Sequence, residues 1–276
     1  MAEIGKLNTL RIVKDIDFGV YLDGEELGEI LLPNRDVPAH CHTGDMIEVF
    51  ILRDSEDRLL ATTQKPYAMV GQVAFLKVVS VTAVGAFLDW GLPKDLLVPF
   101  REQQHRMEEG RSYLVYVYLD EQSQRIAASS KLEKFLENQP IDVQEGQQVD
   151  LVIGDQTEMG YKVIINDTHW GMLYNNEVFQ ALHKGQRLQG FIKKVRDDGK
   201  IDCCLQKSGY KNVDDVAWKI LEFLHKRGGF LAITDKSSPE RIYDLFGVSK
   251  KTYKKAIGAL YKKRCIIIEK DGIRLR

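Results

Sequence analysis

Alternating apolar and polar residues run through the first three quarters of the chain. Runs with a period of two residues, typical of half-buried strands, recur as "TLRIVKDI", "QVAFLKVVSV" and "QVDLVIGD". Each is followed by a second short run ("GVYLD", "GAFLD", "GYKVII"), a third ("ILLP", "LLVP", "GMLY") and two more. The pattern predicts three copies of a five-stranded unit, for which a small closed barrel buries the strands and removes their edges.

Glycines repeat in step with these strands. Gly5, Gly19 and Gly44 are separated by 14 and 25 residues, and the same spacings recur twice more. The later glycines are Gly71, Gly85, Gly110, Gly146, Gly160 and Gly185. Such internal repetition indicates tandem domains, which we place at residues 1–65, 66–138 and 139–208, the third being the most divergent.

The last quarter of the chain has a helical period instead. "VDDVAWKILEFLHKRGG" places Val216, Ile220, Phe223 and Leu224 on one face of an amphipathic helix. The change of pattern comes near Ser208-Gly209, so we predict a fourth domain over residues 209–276.

Helix start and stop signals follow within this fourth domain. Ser238 precedes Pro239 as a predicted N-cap, Gly247 ends that helix, and Ser249 caps the next one. "CIIIEKDGIRLR" then predicts a hairpin around its Asp-Gly dipeptide. Two helices joined by a short turn and followed by a hairpin predict a winged-helix domain.

Composition is that of an ordinary globular protein. The 276 residues are 44% hydrophobic and 29% charged, without an apolar run long enough to span a bilayer. The four cysteines form no C-x-x-C pair, and we find none of the common catalytic motifs. We therefore expect a cytoplasmic protein without membrane, metal or cofactor, and one that binds rather than catalyses.

Charge is distributed unevenly along the chain. Residues 1–64 carry 6 basic and 13 acidic side chains, whereas residues 208–276 carry 16 basic and 8 acidic ones. The basic end predicts a polyanionic partner. The acidic first copy opposes such a partner, so it is a candidate for docking a protein.

The repeats resemble a known domain. The strand order with "GAFLD", "LLVP", "VYVYLD" and "RIAASSK" resembles the S1 RNA-binding domain, an OB-fold variant, and the second copy resembles it best. Three S1-like copies followed by a winged helix resemble the conserved virulence factor B family of bacterial RNA-binding proteins. The resemblance implies a mainly β fold with a C-terminal α+β domain: three tandem five-stranded S1/OB barrels and a winged helix.

The resemblance also implies where single strands would bind. In S1 domains, two aromatic residues flank the glycine of the second strand, a His ends the third strand, and an Asp and an Arg lie near the last two strands. No copy has the whole set, since Val84 and Met159 replace the first aromatic residue and Pro33 and Pro99 replace the His. The candidate RNA-binding residues of the barrels are Phe18, Tyr21, Arg58, Phe87, Arg125, Lys162, Tyr174, Lys193, Lys194 and Arg196. Tyr113, Tyr116 and Tyr118 fit either a stacking platform or packing.

The segment "SKKTYKKAIGALYKKR" adds a basic helix. Tyr253, Ile257, Leu260 and Tyr261 recur at helical spacing and are predicted to face the core. The predicted RNA-binding cations are Lys250, Lys251, Lys254, Lys255, Lys262, Lys263 and Arg264. Cations in the first helical turn oppose the helix dipole, which favours a function over a merely solvated lysine face.

Single-stranded RNA is the partner that this combination favours. The basic helix contains no Asn or Gln and one Arg at its end, whereas readers of duplex bases use those residues. We expect an RNA-binding protein that regulates gene expression after transcription, with most of the affinity in the third copy and the winged helix. A winged-helix transcription regulator on DNA and a protein-interaction scaffold using the first copy are the alternatives.

Overall fold

The computed structural model describes residues 1–136, 140–178, 180–205 and 213–276, with residues 176 and 213–215 described by their backbone only. The chain forms two compact units, Met1–Pro140 with Asp167–His169 and Ile141–Asn166 with Trp170–Arg276. The predicted boundaries at 138/139 and 208/209 lie outside the described residues, and the boundary at 65/66 stays a prediction.

The first copy is a closed five-stranded barrel. Its strands follow the order β1-β2-β3-β5-β4 around the barrel, with β3 and β5 parallel. They are β1 (Leu7–Ile16), β2 (Gly19–Asp23), β3 (Glu29–Pro33), β4 (Met46–Arg53) and β5 (Leu59–Thr62). Alternate residues such as Leu22, Leu32 and Ile51 are fully buried inside it, as the period-two pattern predicts.

The second copy repeats this order as β10-β9-β6-β7-β8. Its strands are β6 (Val73–Val81), β7 (Gly85–Asp89), β8 (Leu96–Pro99), β9 (Ser112–Leu119) and β10 (Ile126–Ser129), followed by the short helix α1 (Glu133–Leu136). Phe50 and Leu52 of β4 belong to the same buried cluster as the core of this barrel. The Phe50 ring meets the ring of Trp90 edge to face, with centroids 5.8 Å apart, so the first two barrels share a packed boundary.

The third copy is again a closed barrel with the same order, β11-β12-β13-β15-β14. Its strands are β11 (Gln148–Thr157), β12 (Gly160–Ile165), β13 (His169–Tyr174), β14 (Arg187–Val195) and β15 (Ile201–Cys204). The core holds Leu151, Val163, Leu173 and Cys203. Burial raises the pKa of the Cys203 thiol to about 12, so this cysteine is an apolar packing group.

The last domain has the predicted helices and hairpin. It comprises α2 (Val213–Lys226), β16 (Phe230–Leu231), α3 (Pro239–Phe246), α4 (Lys250–Lys262), β17 (Ile266–Ile268) and β18 (Ile273–Leu275), with the strands ordered β16-β18-β17. Val216, Ile220 and Leu224 are buried, and Phe223 packs at the edge of the same cluster.

The capping signals of this domain are confirmed. The Ser238 and Ser249 hydroxyls accept hydrogen bonds from the backbone N–H of Arg241 and Thr252, and Gly247 ends α3 in a left-handed conformation. The predicted fold class is therefore confirmed: three five-stranded barrels followed by a winged-helix domain.

One core prediction in α4 is wrong. Tyr253, Ile257 and Leu260 are buried, but Tyr261 is 57% exposed. Ala256, which is fully buried, completes the buried face instead. Tyr261 lies at the margin of the apolar stripe, and the residues that the structure describes leave more than half of its surface uncovered.

Candidate nucleic-acid interface

An exposed apolar side chain precedes the second strand of every barrel. Phe18, Val84 and Met159 occupy equivalent places and are 60%, 59% and 61% exposed. Each stands before a glycine whose backbone lies against the third strand of its barrel. The three barrels thus keep a surface position for an apolar contact at one place, although only the first supplies an aromatic ring for base stacking.

The first barrel combines rings with a paired cation. Tyr21 is half-buried on the outer side of β2, opposite Leu31 of β3, and Lys14 Nζ lies 6.0 Å from its ring centroid. Arg58 donates from Nη2 to Asp54 Oδ2 at 2.7 Å and also pairs with Glu56. Because two carboxylates hold Arg58, the predicted cation of this barrel is largely neutralised, beside the exposed ring of Phe18 and the half-buried ring of Tyr21.

The second barrel carries a cleft of about 700 Å³ where the resemblance places the binding face. Predicted positions that line it are Val84, Phe87, Pro99 and Arg125, together with Asp120, which stands at the place of the Asp in S1 domains. The cleft also includes Arg53, Lys94 and Arg101, which the sequence did not indicate, and Tyr118, which the sequence left open between stacking and packing. Leu52 and Arg53 come from β4 of the first barrel, so the two barrels form this cleft together.

Arg125 of the second barrel forms a hydrogen bond to the first barrel. Its Nε donates to Asp57 Oδ1 of the first barrel at 2.7 Å. This hydrogen bond, together with the positive charge of Arg125, lowers the pKa of Asp57. The same hydrogen bond and the negative charge of Asp57 raise the pKa of Arg125. Arg125 therefore links the barrels as well as lining the cleft.

We expect this link to stabilise the protein in a pH-dependent way. Because the pKa of Asp57 is lowered on folding, the stabilisation is present above its unfolded pKa of about 3.9 and is lost as the pH falls through the folded value. Arg125→Gln should therefore lower the urea midpoint at neutral pH but not in acid. Arg111→Gln, which removes the local pair with Glu108, is the control. Equal midpoints for wild type and Arg125→Gln at neutral pH would contradict the link.

The tyrosines of β9 make packing contacts. Tyr116 stacks on Phe135 of α1 with centroids 4.3 Å apart and planes 14° apart, and Tyr118 lies 5.4 Å from the same ring. Tyr113 packs against the barrel core, and its hydroxyl accepts the backbone N–H of Glu108. Of the three, Tyr118 alone also reaches the cleft.

Two of the predicted cations of the third barrel form ion pairs with carboxylates. Lys193 Nζ lies 2.5 Å from Glu177, and Arg196 pairs with Asp202 at 3.0 Å and donates to the Tyr174 hydroxyl. The hydrogen bond to Glu177 raises the pKa of Lys193. Lys162 is exposed, with its Nζ 5.7 Å from the Trp170 ring centroid. Trp170 is therefore an additional aromatic candidate, one that the sequence pattern does not indicate.

The basic helix presents most of its cations to solvent. Lys254 pairs with Asp235 at 3.4 Å. Within the part of the chain that the structure describes, Lys250, Lys251, Lys255, Lys262 and Arg264 form no ion pair, and neither does Lys194 of the third barrel. Lys263 is also exposed. Five cations on and beside one helix that form no ion pair among the described residues are a strong feature for binding phosphates.

A second cleft, of about 990 Å³, lies within the second unit. It brings Lys193 of the third barrel to Lys250 and Lys251 at the start of α4. Glu177, Glu240 and Asp244 also line it, so its charge is mixed. The sequence placed these lysines in two separate domains, and the fold brings them to one cleft.

Two features bear on other classes of function. Across the described ranges, no group of three or more His, Cys, Asp or Glu side chains is arranged to hold a metal ion. No helix among those residues combines the length and apolar character needed to cross a membrane.

Two domain families match segments of this chain. The S1 domain family matches residues 4–64 and 70–130, and the CvfB-like winged helix domain matches residues 218–275. A multidomain protein with nucleic acid binding domains from Streptococcus pneumoniae has a solved structure that covers 99% of this chain and 98% of its own, at 23% identity and a TM-score of 0.40.

Relatives of similar length extend the match over nearly the whole chain. Conserved virulence factor B of Staphylococcus epidermidis is 26% identical over 277 residues, covering 98% of this chain and 85% of its own. The Bacillus subtilis protein YitL is 30% identical over 274 residues, covering 94% of this chain and 89% of its own. With its S1 barrels, its matching winged helix and these relatives, the chain belongs to the conserved virulence factor B family.

Proposed function

We propose that this protein binds single-stranded RNA in the cytoplasm and regulates gene expression after transcription. The observation that carries the proposal is the convergence of Lys193, Lys250 and Lys251 on one cleft, beside further lysines of α4 such as Lys255, which forms no ion pair among the described residues. S1 domains and winged helices are both nucleic-acid-binding folds, and phosphate neutralisation supplies most of the affinity for a polyanion. We place the main site in the second unit.

The chemistry of α4 favours RNA over sequence-specific duplex DNA. Its exposed face offers lysine, a point charge suited to phosphate. It offers no Asn or Gln and no Arg within Lys250–Lys262, although those side chains make the bidentate contacts that read duplex bases. The S1 barrels add apolar and aromatic surface positions such as Phe18 and Phe87, on which unpaired bases stack.

Fluorescence anisotropy with labelled RNA tests this proposal. The full chain should bind a single-stranded RNA of about 12 nucleotides, with an affinity that falls steeply as salt rises. Duplex DNA of the same length should bind more weakly. A preference for the duplex would instead favour a winged-helix transcription regulator.

The acidic first barrel supports a second candidate role. It carries the excess of acidic over basic residues found in 1–64, and a ribosomal or nuclease partner docking there would make the protein a scaffold. Absence of RNA binding by the full chain, combined with capture of a partner by residues 1–64, would favour this alternative.

A further inference from the structure

We propose that Tyr261 is a base-stacking residue, and that the groove beside it binds one nucleotide of a single RNA strand. This inference rests on the proposed function and names a contact outside both the barrel faces and the cleft at the start of α4. It assigns the winged helix a direct role in choosing single strands over duplexes.

The groove lies between the last turn of α4 and the first strand of the hairpin. It has a volume of about 460 Å³ and is lined by Tyr261, Lys262, Arg264, Ile266, Ile267 and Arg276. Tyr261 and Ile267 are exposed, whereas Ile266 is buried beneath them. No Asp or Glu side chain of the described residues lines it, so an aromatic ring and an apolar floor stand beside Lys262 and Arg264 without a competing carboxylate.

Tyr261 shares its helix face with lysines and a glycine. Lys254, Gly258 and Tyr261 are spaced by four and three residues, which places them on one side of α4. A Cβ at Gly258 would meet nothing within 4 Å, so no steric contact requires glycine there. Because glycine is about 1 kcal/mol less favourable than alanine inside a helix, its presence costs stability and leaves the space beside the ring open.

The same face includes other features that do not serve folding. Lys250 and Lys251 oppose the helix dipole in the first turn, and no acidic residue lies there. Tyr261 leaves more than half of its surface in water. A missing side chain, an exposed ring and a row of cations on one face suit a ligand with a flat apolar part and a negative part.

A nucleotide has this combination of properties. Its base can stack on Tyr261, a contact that tolerates any base because every base has an aromatic face. Its phosphates can reach Lys262 and Arg264, as they do in single-strand sites that combine rings with cations. An acidic peptide would satisfy the cations, but it would leave the ring without a flat partner. A duplex keeps its bases stacked on one another, so Tyr261 favours the single strand.

Replacing the tyrosine tests this directly. With a single-stranded RNA of about 12 nucleotides carrying one 2-aminopurine, Tyr261→Leu should weaken binding by about tenfold, within the range measured for losing one stacked base. Tyr261→Phe, which keeps the ring, should bind like the wild type. Stacking should quench 2-aminopurine in the wild type and in Tyr261→Phe but not in Tyr261→Leu. Affinity for a duplex should be unchanged in all three.

Trp218→Leu is the matched control, since Trp218 is an exposed ring of the same domain, on α2 and outside the groove. It should leave RNA affinity unchanged. The inference is overturned if Tyr261→Leu binds RNA as well as the wild type, or if it weakens single-strand and duplex binding by the same factor. An acidic peptide that competes for the groove while Tyr261→Leu leaves RNA binding intact would also overturn it. Failure of the wild type to bind RNA would contradict the proposed function itself.

Discussion

Reversing the charge of Lys250, Lys251, Lys254 and Lys255 to glutamate is expected to weaken single-stranded RNA binding by about 100-fold or more at physiological salt. Each contact between a lysine and a phosphate of a single strand contributes to the salt dependence. Losing four such contacts should therefore reduce the magnitude of the slope of log affinity against log salt by about 3. Anisotropy titrations at several salt concentrations measure both quantities. The expected effect is large because these residues include three of the cations of α4 that have no ion pair among the described residues.

The stability of the folded protein should change much less than its affinity for RNA. Lys250 and Lys251 occupy the first turn after the Ser249 cap, where a negative side chain interacts favourably with the helix dipole by about 0.3–1 kcal/mol each. Lys254→Glu would face Asp235, and glutamates at positions 250 and 251 would lie in the cleft that Glu177, Glu240 and Asp244 also line, so like-charge repulsion offsets that gain. We therefore expect a thermal midpoint close to that of the wild type, which separates a loss of binding from a loss of folding.

A control variant with the same change in net charge distinguishes direct contact between α4 and RNA from the effect of the overall positive charge of the domain. Lys219, Lys226, Lys236 and Lys270 are exposed in the same domain but lie outside α4. Reversing these four should reduce affinity much less. Equal losses for the two quadruple variants would show that overall charge, rather than contact with α4, governs binding. An unchanged affinity for the α4 variant would contradict the proposed site.

Local signals explain why so much of the fold was predictable. The three sets of glycines lie at strand starts and turns. Because the same strands recur in each barrel, the spacing of these glycines along the chain indicates their positions in the barrel. The caps at Ser238 and Ser249 and the left-handed Gly247 depend on residues within one turn of each other. Helix ends of this kind can be predicted from one sequence because they depend only on neighbouring residues.

Long-range partners explain what was missed. Arg125 resembles an RNA-binding residue of its own barrel, yet its hydrogen-bond partner Asp57 is 68 residues away in another barrel. Alternation along β9 indicates which tyrosines share a face, but not that Phe135 covers Tyr116 and Tyr118. These contacts depend on how elements pack, and no pattern within a strand encodes that.

Tyr261 illustrates the same limit within a helix. It follows Leu260, which is buried, and one residue corresponds to a rotation of about 100° around a helix. An apolar stripe is at least that wide, so the pattern alone cannot tell which edge of the stripe the domain covers. The prediction of a core tyrosine was wrong for that reason, and the exposed ring became a candidate contact instead.

Gly85→Ala is expected to destabilise the second barrel by about 3 kcal/mol. A Cβ at Gly85 would lie 2.3 Å from the carbonyl oxygen of Val98 and 2.9 Å from the Cα of Pro99. Both contacts are with the backbone of β8, which pairs with β7 at this point, so relief requires the strands to separate. Phe87 and Pro99 line the cleft of this barrel, which should therefore be distorted as well.

Gly110→Ala provides the matched control in the same barrel. Gly110 has a φ of +81°, but a Cβ there would meet nothing within 4 Å, so only backbone strain of about 1–2 kcal/mol is expected. Trp90 is buried in this barrel, and replacing Trp170 and Trp218 by phenylalanine would make its fluorescence specific to the second barrel during urea unfolding. Equal losses for the two alanine variants would show that left-handed strain, rather than the close approach of β7 and β8, makes the repeated glycine necessary. The same close approach occurs at Gly19 and Gly160, where a Cβ would lie 2.2 Å and 2.1 Å from the carbonyl oxygens of Leu32 and Leu173, so alanine there should be as destabilising as at Gly85.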